Sequence, residues 1–402
     1  MSSRLQTYTY IFLATVLTGV YVVLWIPVLN TPADAVNRDF TIFATAARVV
    51  EQHGYPQIYD INLQRTAQQE IVATPIQIGG GLLPFNHPPF LMPLMQLVIG
   101  DDIFQSYLNW TLINVIFIGV CLWLSRQILS HSGWQTGDIW LFLIPLALVF
   151  PLQINLLQGQ DILVVLIGLL LFLRAMQLEN WWLGGIGLAL TTISPHLALI
   201  FAVPWFFSRQ NKFYSFVLFA GLLTIISVIM IRLEGVQDYL EMLSETAGAV
   251  GDTFGVNKIQ MFSFSSLGLR LWPTMPDAFL SFLTWGGYLA GMLWLCWLHY
   301  RYKSGTQKQA ITLLAVTVAI GLFFAPHLHS HSLLPIWVVF LIWGINRVQI
   351  RKHSALQVGL WVLLASLAMV PIFVPVIPLG WVGVFVVVVA YGLLTLQQLR
   401  TD

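Results

Sequence analysis

The fold of this chain turns on its first forty residues. Residues 8–28 read YTYIFLATVLTGVYVVLWIPV and residues 29–40 read LNTPADAVNRDF. The first stretch is apolar for the roughly 20 residues that a helix needs to cross a bilayer. The second is polar and ends in a carboxylate, Asp39. The apolar stretch is too long for a signal-peptide core, and no small-residue cleavage pattern follows it, so it reads as an uncleaved first span.

The rest of the sequence repeats this contrast. Of 402 residues, 57% are hydrophobic and only 9% are charged, against about 25% charged in soluble domains. The chain is therefore expected to be an all-α polytopic membrane protein forming one domain over residues 1–402. Further spans are expected at Gln105–Leu124, Ile139–Leu156, Ile162–Leu178, Phe213–Ile231, Phe279–His299, Ile311–Phe324, Leu333–Trp343, Leu356–Val374 and Leu379–Leu396. With the interrupted segment Trp181–Phe207, they make about 10–12 transmembrane helices. Sixteen Trp and twelve Tyr suit interfacial belts. A net charge of +1 gives no electrostatic footprint for nucleic acid. Cys121 and Cys296 both fall inside spans and offer neither a disulfide framework nor a thiolate metal site.

Charge orients the bundle. Arg4, Arg126, Arg174, Arg209, Lys212, Arg301, Lys303, Lys308, Arg347, Arg351, Lys352 and Arg400 occupy termini and alternate short connections. The positive-inside rule makes these cytoplasmic, with both chain ends. The acids gather elsewhere. Asp34, Asp39, Glu51, Asp60, Glu70, Asp101 and Asp102 share a first outer loop (residues 29–104), and Glu234, Asp238, Glu241, Glu245 and Asp252 share a later one. Leu82–Ile99 then cannot cross and reads as a re-entrant or surface-lying segment. Its prolines at 84, 88, 89 and 93 agree, because proline removes a helix hydrogen bond and clashes with the preceding turn. By the same parity Trp181–Phe207 enters and returns as two half-helices hinged at Ser194-Pro195-His196. A proline-kinked single span is the alternative. Broken helices at membrane depth are tolerated where they line a cavity.

Six polar insertions converge on the outer side. After Asp39, apolar positions recur at helical spacing from Phe40 to Val50, describing an interface-lying helix that Gly54-Tyr55-Pro56 ends. A second short piece begins at Tyr59-Asp60. Phe85-Asn86-His87-Pro88-Pro89 follows, then the tight turn Gln158-Gly159-Gln160-Asp161. Asn257-Lys258 leads to Ser263, Ser265, Ser266 and Arg270, and Pro326-His327-Leu328-His329-Ser330-His331 forms a last corner. Ionisable groups at a membrane boundary are costly and usually mark function, and six at one level suggest a single pocket. For the histidine corner, metal ligation, hydrogen bonding to sugar or phosphate, and a plain interfacial role all stand, the second being preferred. His196 is either a ligand or a satisfied polar residue at a broken helix. Asp161 is equally a cap of the helix after it, and Asp101-Asp102 read as a solvated loop cap.

In their order these motifs resemble the GT-C superfamily of integral-membrane glycosyltransferases, and within it glycosyltransferase family 87, whose members use polyprenyl-phosphate-mannose. The resemblance rests on Arg38-Asp39-Phe40, Ile58-Tyr59-Asp60, Asn86-His87-Pro88-Pro89 through Pro93-Leu94, Gln158–Asp161, Gly184–Leu190 with Ser194-Pro195, Gln260–Arg270 and Ala325-Pro326-His327 through Pro335. It implies a GT-C-like bundle in the plasma membrane, a polyprenyl-phosphate-linked sugar donor, a lipid or glycan acceptor, and inverting transfer on the outer face. Asp39 is then the general base, since glycosyl transfer to a hydroxyl needs a group to take the proton and a carboxylate is the usual choice. Lys258, Arg270, His87, His327, His331, Gln160, Asp161 and His196 become candidates for holding the donor phosphate. Related GT-C families carry an Asp-x-Asp pair in the first loop. Here Asp39 stands alone between Arg38 and Phe40, so a reaction without metal or other cofactor is expected. A transporter or flippase of a lipid-linked sugar would share the spans and the broken hairpin, and is the alternative.

The charge pattern makes one prediction directly. A cysteine label introduced at Lys303 should react only from the cytoplasm, and one at Glu241 only from outside. Impermeant maleimide on intact cells measures this, and labelling of both positions from one side would cancel the assignment.

Overall fold

The computed structural model describes residues 3–30, 39–72, 81–248, 261–349 and 354–370, with single positions between 384 and 393. Among these the regular structure is helical, as the composition demands. Five helices are long and apolar enough to cross a membrane: Arg4–Asn30, Ile103–His131, Gln210–Glu245, Asp277–Arg301 and Gln307–Phe324. A sixth span counts if the bent pair Thr136–Ala147 and Phe150–Gln158 is taken together, and five shorter apolar helices complete the set. The protein is an integral membrane protein. The expected span Leu379–Leu396 lies almost wholly outside the described residues.

Ile139–Leu156, expected as one helix, is two, bent by 52° at Leu148–Val149. Pro145 and Pro151 flank the break, and each removes a backbone donor. The polar groups this exposes are met by side chains from other helices. Ser366 Oγ accepts from Phe150 N and donates to Leu148 O, both at 2.9 Å, and Tyr21 Oη donates to Leu148 O at 2.7 Å. Such partners are what permit a break where no water reaches.

Trp181–Phe207 is the expected broken hairpin. Helices Trp181–Leu190 and Pro195–Ala202 are separated by a 3-10 turn and by Ser194 in a non-helical conformation. Trp182 packs on Phe219 and Gly185 on Ser215, so the hairpin begins beside the start of the Gln210–Gly248 helix. Arg209 donates to Gly305 O at 3.2 Å and Gln307 to Met176 O at 2.6 Å, which brings 176, 181, 209 and 305 to one end of the bundle. Each arm, at about 13 residues, climbs about 20 Å, and the tip at His196 reaches the other end. The close approach behind this is glycine-dependent. A Cβ at Gly187 would lie 2.5 Å from Gly168 O and 2.8 Å from Phe172 N. Small residues at such contacts are the usual means of tight helix packing in bilayers.

At that other end the first loop forms its own core. The Phe40–His53 helix buries Phe40, Phe43, Ala46, Val49 and Val50, as its periodicity predicts, but its apolar face meets protein. Phe43, Tyr59, Phe85, Tyr107 and Trp110 pack with it into a second apolar cluster below the site. Asp60 caps the Ile61–Ile71 helix through Asn62 N and Leu63 N, and Asp102 caps the Ile103–His131 helix through Gln105 N. Leu82–Ile99 holds only a 3-10 turn at Pro89–Leu91 and the short helix Met92–Gln96, and it buries Phe85, Leu91, Met92 and Met95 in the same cluster.

The Gln210–Gly248 helix turns over this cluster at Arg232, whose φ of 60° and ψ of −176° belong to a region favoured by glycine. Beyond the kink Glu234 accepts from Gln57 at 3.1 Å, Tyr239 meets Tyr59 with ring centres 4.7 Å apart, and Met242 is buried. The later acidic stretch and the first loop therefore share one end, opposite Gly305.

Gly187→Ala should lower stability by about 1–3 kcal/mol, the range for overpacking a tight contact. Gly184→Ala should be close to neutral, because a Cβ there meets only ordinary contacts at 3.5 Å. Thermal unfolding in detergent measures both, and equal melting temperatures would refute the packing argument.

Candidate active site

Four elements bring the site together, and a turn of four residues joins them. The Phe150–Gln158 helix ends at Gly159 in the left-handed conformation (φ 66°, ψ 36°), which glycine adopts without steric cost. A Cβ on Gly159 would stand 2.8 Å from Phe40 Cβ, so the absent side chain is also what lets Phe40 close on the turn. Trp110 Nε1 donates to Gly159 O at 2.9 Å, and Tyr107 Oη to Leu157 O at 3.0 Å. The turn is thus fixed to the Ile103–His131 helix below and carries the start of the Phe40–His53 helix above.

Asp39 immediately precedes Phe40 and so hangs over this turn. It occupies the cap position of its helix yet makes no capping hydrogen bond. Its Oδ2 accepts instead from Gln160 Nε2 at 2.9 Å. Gln160 is buried, and its backbone N–H is bonded to Asn155 O at 3.0 Å, so the amide is held at both ends. The Asp39 side chain keeps 23% of its surface open. It is oriented and reachable.

Asp161, the next residue, does not cap its helix either. Its carboxylate, 3% exposed, lies 2.9 Å from His87 Nδ1. The contact is off hydrogen-bond geometry, and neither atom has a hydrogen-bond partner. The His87 ring rests between Phe43 and Phe85, with centres at 5.0 and 5.6 Å, and its backbone carbonyl accepts from Tyr59 Oη at 2.7 Å.

The histidine corner closes the site. His331 Nδ1 lies 2.6 Å from Gln158 Oε1 and 3.8 Å from Asp39 Oδ2. An amide oxygen only accepts, so His331 donates from Nδ1. His329 stacks on His331 and shares a hydrogen bond with His327 (Nε2 to Nε2, 3.1 Å). Burial holds His331 well below the usual imidazole range, and His329 and His87 push it further the same way. Burial also lowers His329, against the pull of Asp39. His331 therefore faces Asp39 as a neutral ring. The corner, considered as a set of three ligands, is paired with itself and with Gln158. Among the described residues no three His, Cys, Asp or Glu side chains converge as a metal-holding group.

The remaining candidates are less central. His196 stands at the hairpin tip against the His327 backbone, its carbonyl accepting from Tyr288 Oη at 2.7 Å. Phe262 N donates to Leu328 O at 2.7 Å, tying the Phe264–Leu271 helix to the histidine corner at its Ser263 end. Arg270 is half-buried in the last turn of that helix, about 10 Å further along it. Lys258 lies outside the described residues. Sequence reasoning passed over Gln158 and treated His87 and Asp161 as separate groups. The signal for pairing them was slight, since 74 positions separate a Pro-flanked histidine from an acid at a helix start.

With the geometry in place, comparison with known proteins gives one match. The model of glycosyltransferase family 87 covers residues 85–326, more than half of the chain. No curated protein and no solved structure matches.

The buried histidines give a pH prediction. Unfolded histidine takes up a proton near pH 6.5, whereas folded His331 and His329 resist it. The unfolded chain therefore binds more protons as pH falls below about 6.5, and stability falls by about 1.4 kcal/mol per pH unit for each proton. The melting temperature should drop between pH 7.5 and 5, and His331→Gln should flatten the drop by about one proton's worth. An unchanged slope in His331→Gln would mean that His331 is charged in the fold.

Proposed function

Because the chain belongs to glycosyltransferase family 87, we propose that it moves a sugar, mannose in our reading, from a polyprenyl-phosphate donor to a hydroxyl of a lipid or glycan, with Asp39 as general base. That the protein is a membrane-bound glycosyltransferase, with a sugar donor and an acceptor, follows from the family. The donor, the sugar and the mechanism are our reading. One observation carries the choice of base. Asp39 Oδ2 is fixed by the Gln160 amide at 2.9 Å, while its neighbour His331 is kept neutral by burial. The carboxylate is thus oriented without being neutralised by a salt bridge, and Oδ1 remains to receive a proton.

In this mechanism the acceptor O–H gives its proton to Asp39 as its oxygen attacks the anomeric carbon. The bond from that carbon to the phosphate oxygen breaks, and its electron pair leaves with the lipid phosphate. One displacement inverts the centre. The carboxylate contributes as a positioned base, and the phosphate departs toward the side of the cleft lined by histidines. A monophosphate leaving group builds up less charge than a diphosphate, so imidazoles and basic side chains can meet it without a divalent ion. We place the site on the non-cytoplasmic face of the plasma membrane, with both termini cytoplasmic, from the charge segregation of the loops.

Asp39→Asn keeps the shape of the side chain and removes its basicity, so transfer should fall by about 10²–10⁴-fold with donor binding retained. Asp60→Ala is the control: it loses two capping bonds and should cost about 1 kcal/mol of stability with little effect on rate. Activity should survive EDTA. Radiolabelled transfer into membrane extract measures all three, and a near-normal rate for a well-expressed Asp39→Asn protein would remove Asp39 from the mechanism.

A further inference from the structure

Gln160 and Asp161 are consecutive residues of one rigid turn, and each holds a different ionisable group. Gln160 fixes Asp39, and Asp161 fixes His87. Asp161 is the more unusual of the two. A carboxylate withdrawn from water to 3% exposure is costly unless a partner compensates it. The compensation here comes from His87. Phe43 and Phe85 hold the ring by its sides, Tyr59 holds its backbone carbonyl, and Nδ1 is fully buried against Asp161. The 14% of the side chain that stays open therefore belongs to the rest of the ring, which carries Nε2. His87 also stands close enough to the histidine corner for its charge to bear on His331.

We propose that His87, oriented by Asp161, is the group that contacts the donor phosphate as the glycosidic bond breaks; this rests on the lipid-phosphate donor assigned above. With Nδ1 buried 2.9 Å from the Asp161 carboxylate, the ring is left to present at Nε2 either a lone pair or, once protonated, an N–H. An anionic phosphate selects the N–H. When the bond from the anomeric carbon to oxygen breaks, its electron pair stays on the phosphate, which changes from a singly charged diester to a monoester with one more negative charge. His87 keeps its proton and donates a charge-assisted hydrogen bond to that oxygen, an interaction stronger in the product-like state than in the donor complex. Asp161 acts through His87 and is a positioning residue. Of the contacts His87–Asp161 and His331–Asp39, the first has the more deeply buried carboxylate.

The proposal distinguishes donor from leaving group, and the test uses that difference. Purified full-length protein is assayed with polyprenyl-phosphate-mannose as donor, membrane lipid extract as acceptor and polyprenyl monophosphate as product inhibitor. His87→Gln should lower kcat by about 10²–10³-fold, the loss typical of one donor to a developing anion. It should weaken inhibition by the monophosphate about tenfold or more, as for loss of a charge-assisted hydrogen bond, and leave the donor KM little changed. Asp161→Asn should shift both quantities the same way, by about 10–100-fold in rate, the scale for loss of a supporting carboxylate. If inhibition by the monophosphate stays at the wild-type level while the rate falls, His87 acts on the acceptor side and the proposal is wrong. Equal weakening of donor and monophosphate, or loss of folded protein in both variants, would make the pair a structural clip and overturn it as well. Failure of the wild-type protein to use the lipid-phosphate donor would show the underlying reading at fault before any variant is made.

Discussion

Phe40 lies on Gly159 with no room for a β-carbon between them. Much of the site descends from this contact. The glycine reverses the chain between two apolar helices, and the phenylalanine seats the first helix of the outer loop directly on the reversal. Trp110 and Tyr107 hold the carbonyls of the turn from beneath. With the backbone immobile, the three side chains around Gly159 are set against fixed neighbours: Gln158 accepts from His331, Gln160 donates to Asp39, and Asp161 lies 2.9 Å from His87 Nδ1. Preorganisation of this kind matters most where charge develops during reaction, because groups already in place need not reorganise.

The rest of the bundle supplies that end with its walls under the constraint that backbone polar groups in hydrocarbon be satisfied within the protein. The break at Leu148–Val149 meets it with Ser366 and Tyr21, both from helices distant in sequence. The hairpin at Ser194 does so with a proline at the start of its second arm and by ending at the cleft. Gly168 and Gly187 let the hairpin lie against the Ile162–Leu178 helix, so that His196 reaches the histidine corner. The backbone at Arg232 is strained where the span gives way to the segment covering the first loop. Breaks and strain thus gather where the membrane-spanning part meets the site.

Electrostatics divides the labour among the polar groups. Of the nine histidines, His87, His196, His327, His329 and His331 gather around the site. Burial keeps His331 and His329 from charging, so the corner offers hydrogen bonds and leaves the carboxylate of Asp39 uncompensated. His87 differs by its ion-pair contact with a carboxylate of its own. Neutral rings beside one acid and a paired ring beside another give the two acids separate electrostatic surroundings within a small space.

Much of this was legible in the sequence because it rests on local or one-dimensional signals. Length and apolarity of runs fix the spans, prolines the breaks at Ser194 and Leu82–Ile99, and loop charge the grouping of acids at one end. The cap at Asp101-Asp102 was legible, and Asp102 makes it, since a cap depends on residues two or three positions away. The matched stretch of the family reached the same class of protein from motif order. The bend at Leu148 was not foreseen, for its satisfying groups lie at positions 21 and 366. The partners of Asp39, Asp161 and His331 were equally hidden. Asp161 read as a cap from its neighbours along the chain, and both Asp161 and Gln160 as phosphate contacts from the resemblance, whereas their partners in the fold lie 74 and 121 residues away. Sequence determined which residues the bilayer would force to one end. Only tertiary packing decided which would touch, because pairing among a cluster of similar polar groups depends on differences of an ångström that no spacing rule contains.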